Sequence, residues 1–116
     1  MTELIFSFGT LQQPEVQNAL FGRSVPSTPD SLAGWTVGTV TITDPAVIKL
    51  SGTDQHPGLL HTGNLEDIVD GAVLEVTELE LAAADHYEHV SYQRLALVLR
   101  SRTAAWVYIP RSVTSA

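Results

Sequence analysis

The 116-residue sequence contains no cysteine, which removes disulfide frameworks, thiolate metal sites and a cysteine nucleophile from consideration. Basic residues are scarce: six Lys and Arg stand against thirteen Asp and Glu, a formal charge of −7 at pH 7. Neutralising a phosphate backbone or an anionic lipid surface takes clustered Lys and Arg, so nucleic acid and membrane are both set aside as partners. Arg94, Arg100, Arg102 and Arg111 fall late in the chain, at a spacing that suits a strand pair better than a basic stripe. Long apolar runs are missing too, and none approaches the roughly 20 residues that a membrane helix needs. The first residues, Met-Thr-Glu-Leu-Ile-Phe, carry an acid where a secretory leader would carry positive charge. The expectation is a soluble, cytoplasmic protein.

What is present is an ordinary globular composition, 44% apolar and 16% charged, in a length that suits one domain over residues 1–116. Leu4 to Phe8 reads as a short buried strand that opens into a turn at Gly9. Pro14 can open a helix that lays Val16, Ala19 and Leu20 on one face and stops at Gly22. Val25–Asp30, rich in Pro, Ser and Thr, reads as a connector. Period-two alternation marks a strand over Trp35–Thr43, and Asp44-Pro45 turns it towards a second short strand at Ala46–Leu50. Ser51 to Gly58 is polar and reads as the least ordered stretch, followed by strands at Leu59-Leu60 and Ala72–Val76. Thr77 and Glu80 form a Thr-x-x-Glu capping box that opens a helix running to Tyr87. Strands at Tyr92–Leu99 and Ala104–Ile109, joined by a turn at Arg100–Thr103, close the chain. The sum is an α+β fold built on a small barrel or curled mixed sheet with two or three short helices.

Two places could carry chemistry. On the helix after Thr77, a 3.6-residue period puts Leu79, Ala82, Ala83 and His86 on one apolar face. Leu81, Ala84 and Glu88 line up on the opposite side. A carboxylate that continues a Leu/Ala stripe is a candidate for partial burial, and burial makes a Glu a useful acid/base near neutral pH. A solvated Glu in a fraying last turn is the competing reading. The second place is Phe8-Gly9-Thr10-Leu11, where a Gly directly after a strand lets backbone N–H groups approach an anionic ligand. An ordinary strand-to-helix turn is the competing reading there.

Read together with their surroundings, these segments resemble the γ-glutamylcyclotransferase-like (AIG2-like) family. The opening run Leu4-Ile5-Phe6-Ser7-Phe8-Gly9-Thr10-Leu11 is similar to a strand ending in Tyr-Gly-Ser/Thr-Leu, the loop that holds the γ-glutamyl group. Asp85-His86-Tyr87-Glu88-His89-Val90-Ser91-Tyr92-Gln93-Arg94 resembles the family's Leu-Asp-x-Tyr-Glu-Gly-x-x-Tyr-x-Arg stretch, whose Glu is the acid/base. Pro57-Gly58 and Val69-Asp70-Gly71-Ala72-Val73-Leu74-Glu75-Val76 are similar to further elements of the family, in the same order. The resemblance implies a cyclotransferase, an acyltransferase or lyase in type, that releases 5-oxoproline and an amine from a small γ-glutamyl amine or γ-glutamyl amino acid. It implies Glu88 as the catalytic group, and Phe8, Gly9, Thr10, Leu11, Tyr92 and Arg94 as the substrate-binding residues. Neither cofactor nor metal is implied, because the nucleophile is the substrate's own amine. Phe8 stands where the family has Tyr, Ala84 where it often has Leu, and His89 where Gly is common. The missing hydroxyl at Phe8 keeps open an alternative, a non-catalytic module that binds a small acidic ligand on the same fold.

Other residues compete for attention. His86 and His89 could share a metal, yet no matched third ligand accompanies them; the packed or surface reading stands beside it. His56 and His61 fall in loop-like sequence. Arg94 can grip a carboxylate with its two-pronged guanidinium or simply lie at the surface. Tyr87 and Tyr92 read as wall residues, Trp35 and Trp106 as core or rim packing. A monomer or weak homodimer is expected.

Overall fold

The molecule is organised around a strand whose two neighbours run in opposite directions. In the computed structural model, which describes residues 2–41, 45–52, 55–88 and 92–110, β1 (Thr2–Ser7) lies at the centre of a five-stranded sheet. It runs antiparallel to β5 (Ile68–Thr77) and parallel to β7 (Ala104–Pro110). Outside these lie β2 (Ser27–Ala33), against β5, and β6 (Tyr92–Val98), against β7, giving the order β2-β5-β1-β7-β6. A separate ribbon pairs β3 (Trp35–Thr41) with β4 (Gln55–His61). Helices α1 (Pro14–Phe21), α2 (Pro45–Ser51) and α3 (Glu78–Glu88), with a 3-10 turn at Thr10–Gln12, complete a mixed α+β architecture.

Side-chain alternation along the strands divides the core in two. Ile5, Leu74, Val76, Tyr92 and Tyr108 gather with Val16 of α1 and with Leu81, Ala84 and Tyr87 of α3. Phe6, Val73, Leu32, Val107 and Ile109 gather on the other face with Leu59 of the ribbon. The sheet curls until the β6–β7 turn meets β2: the Arg100 N–H donates to the Ser31 carbonyl at 2.9 Å, and the Ser101 hydroxyl donates to Asp30. The ladder itself stays open, with β2 and β6 as its two ends. The curled mixed sheet is therefore observed and the barrel is not, because a turn rather than a strand pairing meets the far edge.

Several local expectations are corrected. The segment expected as a connector becomes β2 from Ser27; Pro29 is tolerated because an edge strand pairs on one side only. The strand expected at Ala46–Leu50 is helix α2, with Pro45 at its first position and the Gly52 N–H reaching the Ile48 carbonyl at 2.7 Å. Packing of Ile48 against the helix-side core outweighs the strand preference of Val47-Ile48. The stretch read as least ordered contains the start of β4, ordered by its ladder with β3 from Thr41↔Gln55 to Trp35↔His61. β5 begins at Ile68 rather than Ala72, since β2 and β1 pair with it on both sides. In α1 it is Gln17, not Ala19, that joins Val16 in the interior. Residues 42 and 43, the expected end of the β3 strand, lie outside the described residues.

Candidate active site

Helix α3 is fixed before it reaches the site. The Glu80 N–H donates to Thr77 Oγ1 at 3.1 Å and the Thr77 N–H donates to Glu80 Oε1 at 2.9 Å, so the capping box read from sequence is formed. Arg23, just past α1, grips both oxygens of Glu80 at 2.8 Å. That two-pronged bond is the main cause that holds the Glu80 carboxyl down to about 2. The start of α3 is thereby tied to the end of α1, and its register against the sheet follows.

With that register, α3 turns Leu81, Ala84, Tyr87 and Glu88 inward, while Leu79 is 84% exposed. The face carrying Leu79, Ala82 and His86, read as apolar, meets solvent; the stripe that ends in Glu88 is the buried one. Glu88 is 9% exposed, and desolvation pushes its carboxyl up to about 8. The solvated reading of Glu88 is thus overturned.

Beside it stand tyrosines from three elements: Tyr87 of α3, Tyr92 of β6 and Tyr108 of β7, all buried. The Tyr92 hydroxyl is pushed up by burial, then by the charges of Glu88 and Tyr87. The Tyr108 hydroxyl is pushed up by burial, then by its bond to Asp85 and by the Asp85 and Glu88 charges, with Arg94 opposing. Tyr108 donates to Asp85 Oδ1 at 2.7 Å, and Arg94 Nε sits 3.4 Å from the same oxygen. The Arg94 guanidinium lies 4.2 Å over the Trp106 ring, and Trp106 Nε1 donates to Glu3 Oε1 at 3.0 Å. Arg94 is therefore a half-buried clamp rather than a surface residue, and its Nη1 is buried without a hydrogen-bond partner among the described residues.

The segment Phe8–Leu11 leaves the end of β1 and winds into the 3-10 turn, where the Gln12 N–H donates to the Gly9 carbonyl at 3.1 Å. Leu11 is 3% exposed and joins the cluster of Ala84, Tyr87, Tyr92 and Tyr108. Phe8 packs against the opposite cluster, with Phe6 and Leu32. The Gly9 N–H makes a long 3.4 Å contact to Ser7 Oγ. Gln17 holds the loop from behind: its Nε2 donates to the Leu11 carbonyl at 2.8 Å, and its Oε1 accepts from the Val25 N–H at 3.1 Å. Gly71 of β5 sits against the Ser7 carbonyl so closely that a Cβ there would strike it and come within 2.9 Å of the Phe6 ring. The end of β1, from which the loop departs, thus depends on that glycine.

Of the residues read from sequence, Leu11, Tyr92 and Glu88 share one side of the sheet with Arg94, and Phe8 faces the other. The side chain of Thr10 and the whole of His89 lie outside what is described. His86 is exposed and sits apart from the inward stripe, and among the described residues no group of His, Asp and Glu gathers as a metal set. Two depressions lined by described residues lie away from Glu88. One, of about 320 Å³, has Ala96, Ala104 and Trp106 beside Glu3; the other, of about 380 Å³, has Asp30, Thr28, Ser101 and Thr103. Sequence reasoning gave no role to Gln17, Asp85 or Tyr108, and read Trp106 only as core or rim packing. The hairpin register Arg94↔Tyr108 and Ala96↔Trp106, set by the turn at Arg100–Thr103, is the signal that could have placed the last two beside Arg94.

The fold defines a class. Solved structures of similar shape include two Arabidopsis thaliana proteins known from solution. One has 21% identity and a TM-score of 0.70, over 97% of this chain and 71% of that one. The other has 18% identity and a TM-score of 0.71, over 95% and 62%. A structure described as a gamma-glutamyl cyclotransferase has 12% identity and a TM-score of 0.69, over 95% and 67%. The chain thus spans about two thirds of the length of these proteins, and at such identities the likeness is one of fold. The model of the family described as gamma-glutamyl cyclotransferase, AIG2-like, matches residues 5–115, and the chain belongs to that family. No curated protein matches it. No helix of the described residues is long and apolar enough to cross a membrane.

Proposed function

We propose that this protein is a metal-independent γ-glutamyl cyclotransferase, a single domain over residues 1–116 that acts in the cytoplasm as a monomer or weak homodimer on a small γ-glutamyl amine or γ-glutamyl amino acid. The observation that carries the reading is the Glu88 carboxyl, buried and pushed up to about 8. A group so tuned exchanges protons near neutral pH. In the proposed reaction the substrate's α-ammonium gives a proton to Glu88, and the freed amine attacks the γ-carbonyl carbon. The new C–N bond closes a five-membered ring, Glu88 passes its proton to the departing nitrogen as the old C–N bond breaks, and the ring nitrogen releases its second proton to solvent. The products are 5-oxoproline and the free amine. Because nucleophile and electrophile lie in one molecule, orientation alone supplies a large part of the acceleration, with effective molarities on the order of 10⁵ M or more.

The remaining roles follow from this chemistry. Backbone N–H groups of Gly9, Thr10 and Leu11 would hold the substrate carboxylate or the developing oxyanion. Tyr92 would wall the site beside Glu88, and Phe8 would shape the loop from behind. Arg94, whose Nη1 has no hydrogen-bond partner among the described residues, would face the substrate carboxylate as a two-pronged donor. A second reading, a non-catalytic module for a small acidic ligand, is favoured by Phe8, which offers the site no hydroxyl. Release of 5-oxoproline over a panel of γ-glutamyl amines separates the two. Silence across the panel with a folded protein that still binds such ligands would establish the module instead.

A further inference from the structure

A run of touching side chains crosses from α3 through β6 and β7 to β1. Tyr108 donates to Asp85 Oδ1 at 2.7 Å, and the same oxygen faces Arg94 Nε at 3.4 Å. The Arg94 guanidinium carbon lies 4.2 Å from the centre of the Trp106 ring, and Trp106 Nε1 donates to Glu3 Oε1 at 3.0 Å. A carboxylate thus takes the Nε edge of Arg94 and an indole takes one of its faces. What this leaves is the outer edge, the pair of Nη groups whose fork matches a carboxylate with two parallel bonds. Nη1 is buried and has no hydrogen-bond partner among the described residues. A buried charged donor without an acceptor is costly, and that cost is relieved when an incoming ligand supplies the missing oxygen.

The run borders the site. Asp85 precedes Glu88 by one turn of α3, and Tyr108 sits in the buried cluster with Leu11, Tyr87 and Tyr92. Arg94 lies two residues beyond Tyr92, hence on the same face of β6, and opposite Tyr108 in the ladder. We propose that Asp85 and Trp106 are positioning residues that hold Arg94 with its Nη groups turned to receive a ligand carboxylate. The proposal rests on the cyclotransferase reading for the identity of that group, the α-carboxylate of the γ-glutamyl substrate, and on the contacts above for the orientation. It narrows the substrates to γ-glutamyl compounds whose α-carboxylate is free, because an ester or amide there gives the guanidinium no anion. Asp85 also makes the idea easy to separate from simple electrostatics. Its negative charge opposes an anion at Arg94, so removing it strengthens anion binding if charge alone matters, and weakens it if orientation matters.

The test compares two ligands that differ in the carboxylate alone, 5-oxoproline and 2-pyrrolidinone. Both are titrated into ¹⁵N-labelled protein and followed by NMR, with the Arg94 Nε–H resonance assigned by its loss in Arg94→Lys. The wild type is expected to bind 5-oxoproline about tenfold or more tightly than 2-pyrrolidinone, with the Arg94 resonance moving for the first ligand only. Asp85→Ala and Trp106→Leu are expected to lose that preference, binding 5-oxoproline about tenfold more weakly and 2-pyrrolidinone as before. Asp85→Asn keeps an acceptor oxygen and Trp106→Phe keeps a ring face, so both are expected to retain the preference. Binding of 5-oxoproline by Asp85→Ala that equals or exceeds the wild type would overturn the proposal. So would a wild type with no preference between the ligands, or equal weakening of both in the variants, the mark of a merely structural role. The Asp85 side chain is 40% exposed, so its variants carry the test even if Trp106→Leu does not fold. A wild type that shows the preference yet releases no 5-oxoproline from γ-glutamyl amines would remove the cyclotransferase reading and leave the positioning role standing. Intact turnover beside an undiminished preference in Asp85→Ala would do the reverse.

Discussion

Replacing Glu88 by Gln removes a group that the folded state keeps from ionising, so the substitution should change stability in a way that depends on pH. The sign follows from the direction of the shift. The Glu88 carboxyl rises from 4.5 to about 8 on folding, so between those values the folded protein holds a proton that the unfolded chain has lost. Stability attached to the neutral form is complete below pH 4.5 and declines as pH climbs through the window to about 8. The difference between the two values is about 3.5 units, and at about 1.36 kcal/mol per unit the full cost reaches about 5 kcal/mol above the window. By pH 7 some 2.5 units of that window are crossed, which corresponds to about 3 kcal/mol. Gln is nearly the same shape and never ionises. Urea unfolding of both proteins at pH 4.5, 7 and 9 should therefore show little difference at the acid end and a growing advantage for Glu88→Gln towards alkaline pH. A difference that stays flat across the series would refute the claim that burial raises the Glu88 carboxyl on folding, whatever its role in turnover.

Four more outcomes follow from the same geometry. The free-enzyme kcat/KM of the wild type should rise as pH passes through about 8, the ionisation of the proton acceptor; a profile flat from pH 6 to 9 would count against Glu88 in that role. Gln17→Leu strands the Leu11 carbonyl and the Val25 N–H, each now bonded to Gln17, and should cost about 1–3 kcal/mol per stranded group, read by urea unfolding, with a higher KM from the loosened loop. Gly71→Ala drives a methyl against the Ser7 carbonyl and the Phe6 ring; it should lower the melting temperature and impair substrate binding together, and a variant with wild-type melting would show that β1 can retreat freely. Glu80→Gln should lower the melting temperature above pH 4.5 and converge with the wild type in strong acid. The Glu80 carboxyl is depressed to about 2 when folded, chiefly by the Arg23 bond, so its contribution is present above the unfolded value and fades as pH falls through the folded one.

How far the fold and site were legible can be traced to particular residues. The Thr77/Glu80 box and the Gly22 stop announced α3 and α1 because both rest on local bonds: the reciprocal cap, and a left-handed φ of 70° at Gly22. The β6–β7 hairpin was readable for the same reason, its turn and alternation being neighbours in sequence. Helix α2 was misread because Val47-Ile48 is β-branched and its true preference is decided by Ile48 meeting a core assembled from distant strands. β2 was missed because a Pro- and Ser-rich segment becomes a strand only when β5 offers it an edge. At the site, a stripe ending in Glu88 was visible from helical periodicity, but which stripe faced inward was not. The face carrying Leu79 was the more apolar and proved exposed. Asp85, Tyr108 and Gln17 act through contacts between elements far apart in the chain, and no local pattern marks such contacts.

The central claim is that proton transfer through the Glu88 carboxyl makes ring closure possible. It is tested most directly by measuring 5-oxoproline release from a panel of γ-glutamyl amines with the wild type and Glu88→Gln side by side. The account predicts release by the wild type and a loss of at least about 100-fold in the variant, the scale of a lost general acid/base, with the variant as well folded as its parent. Equal release by the two proteins would contradict it.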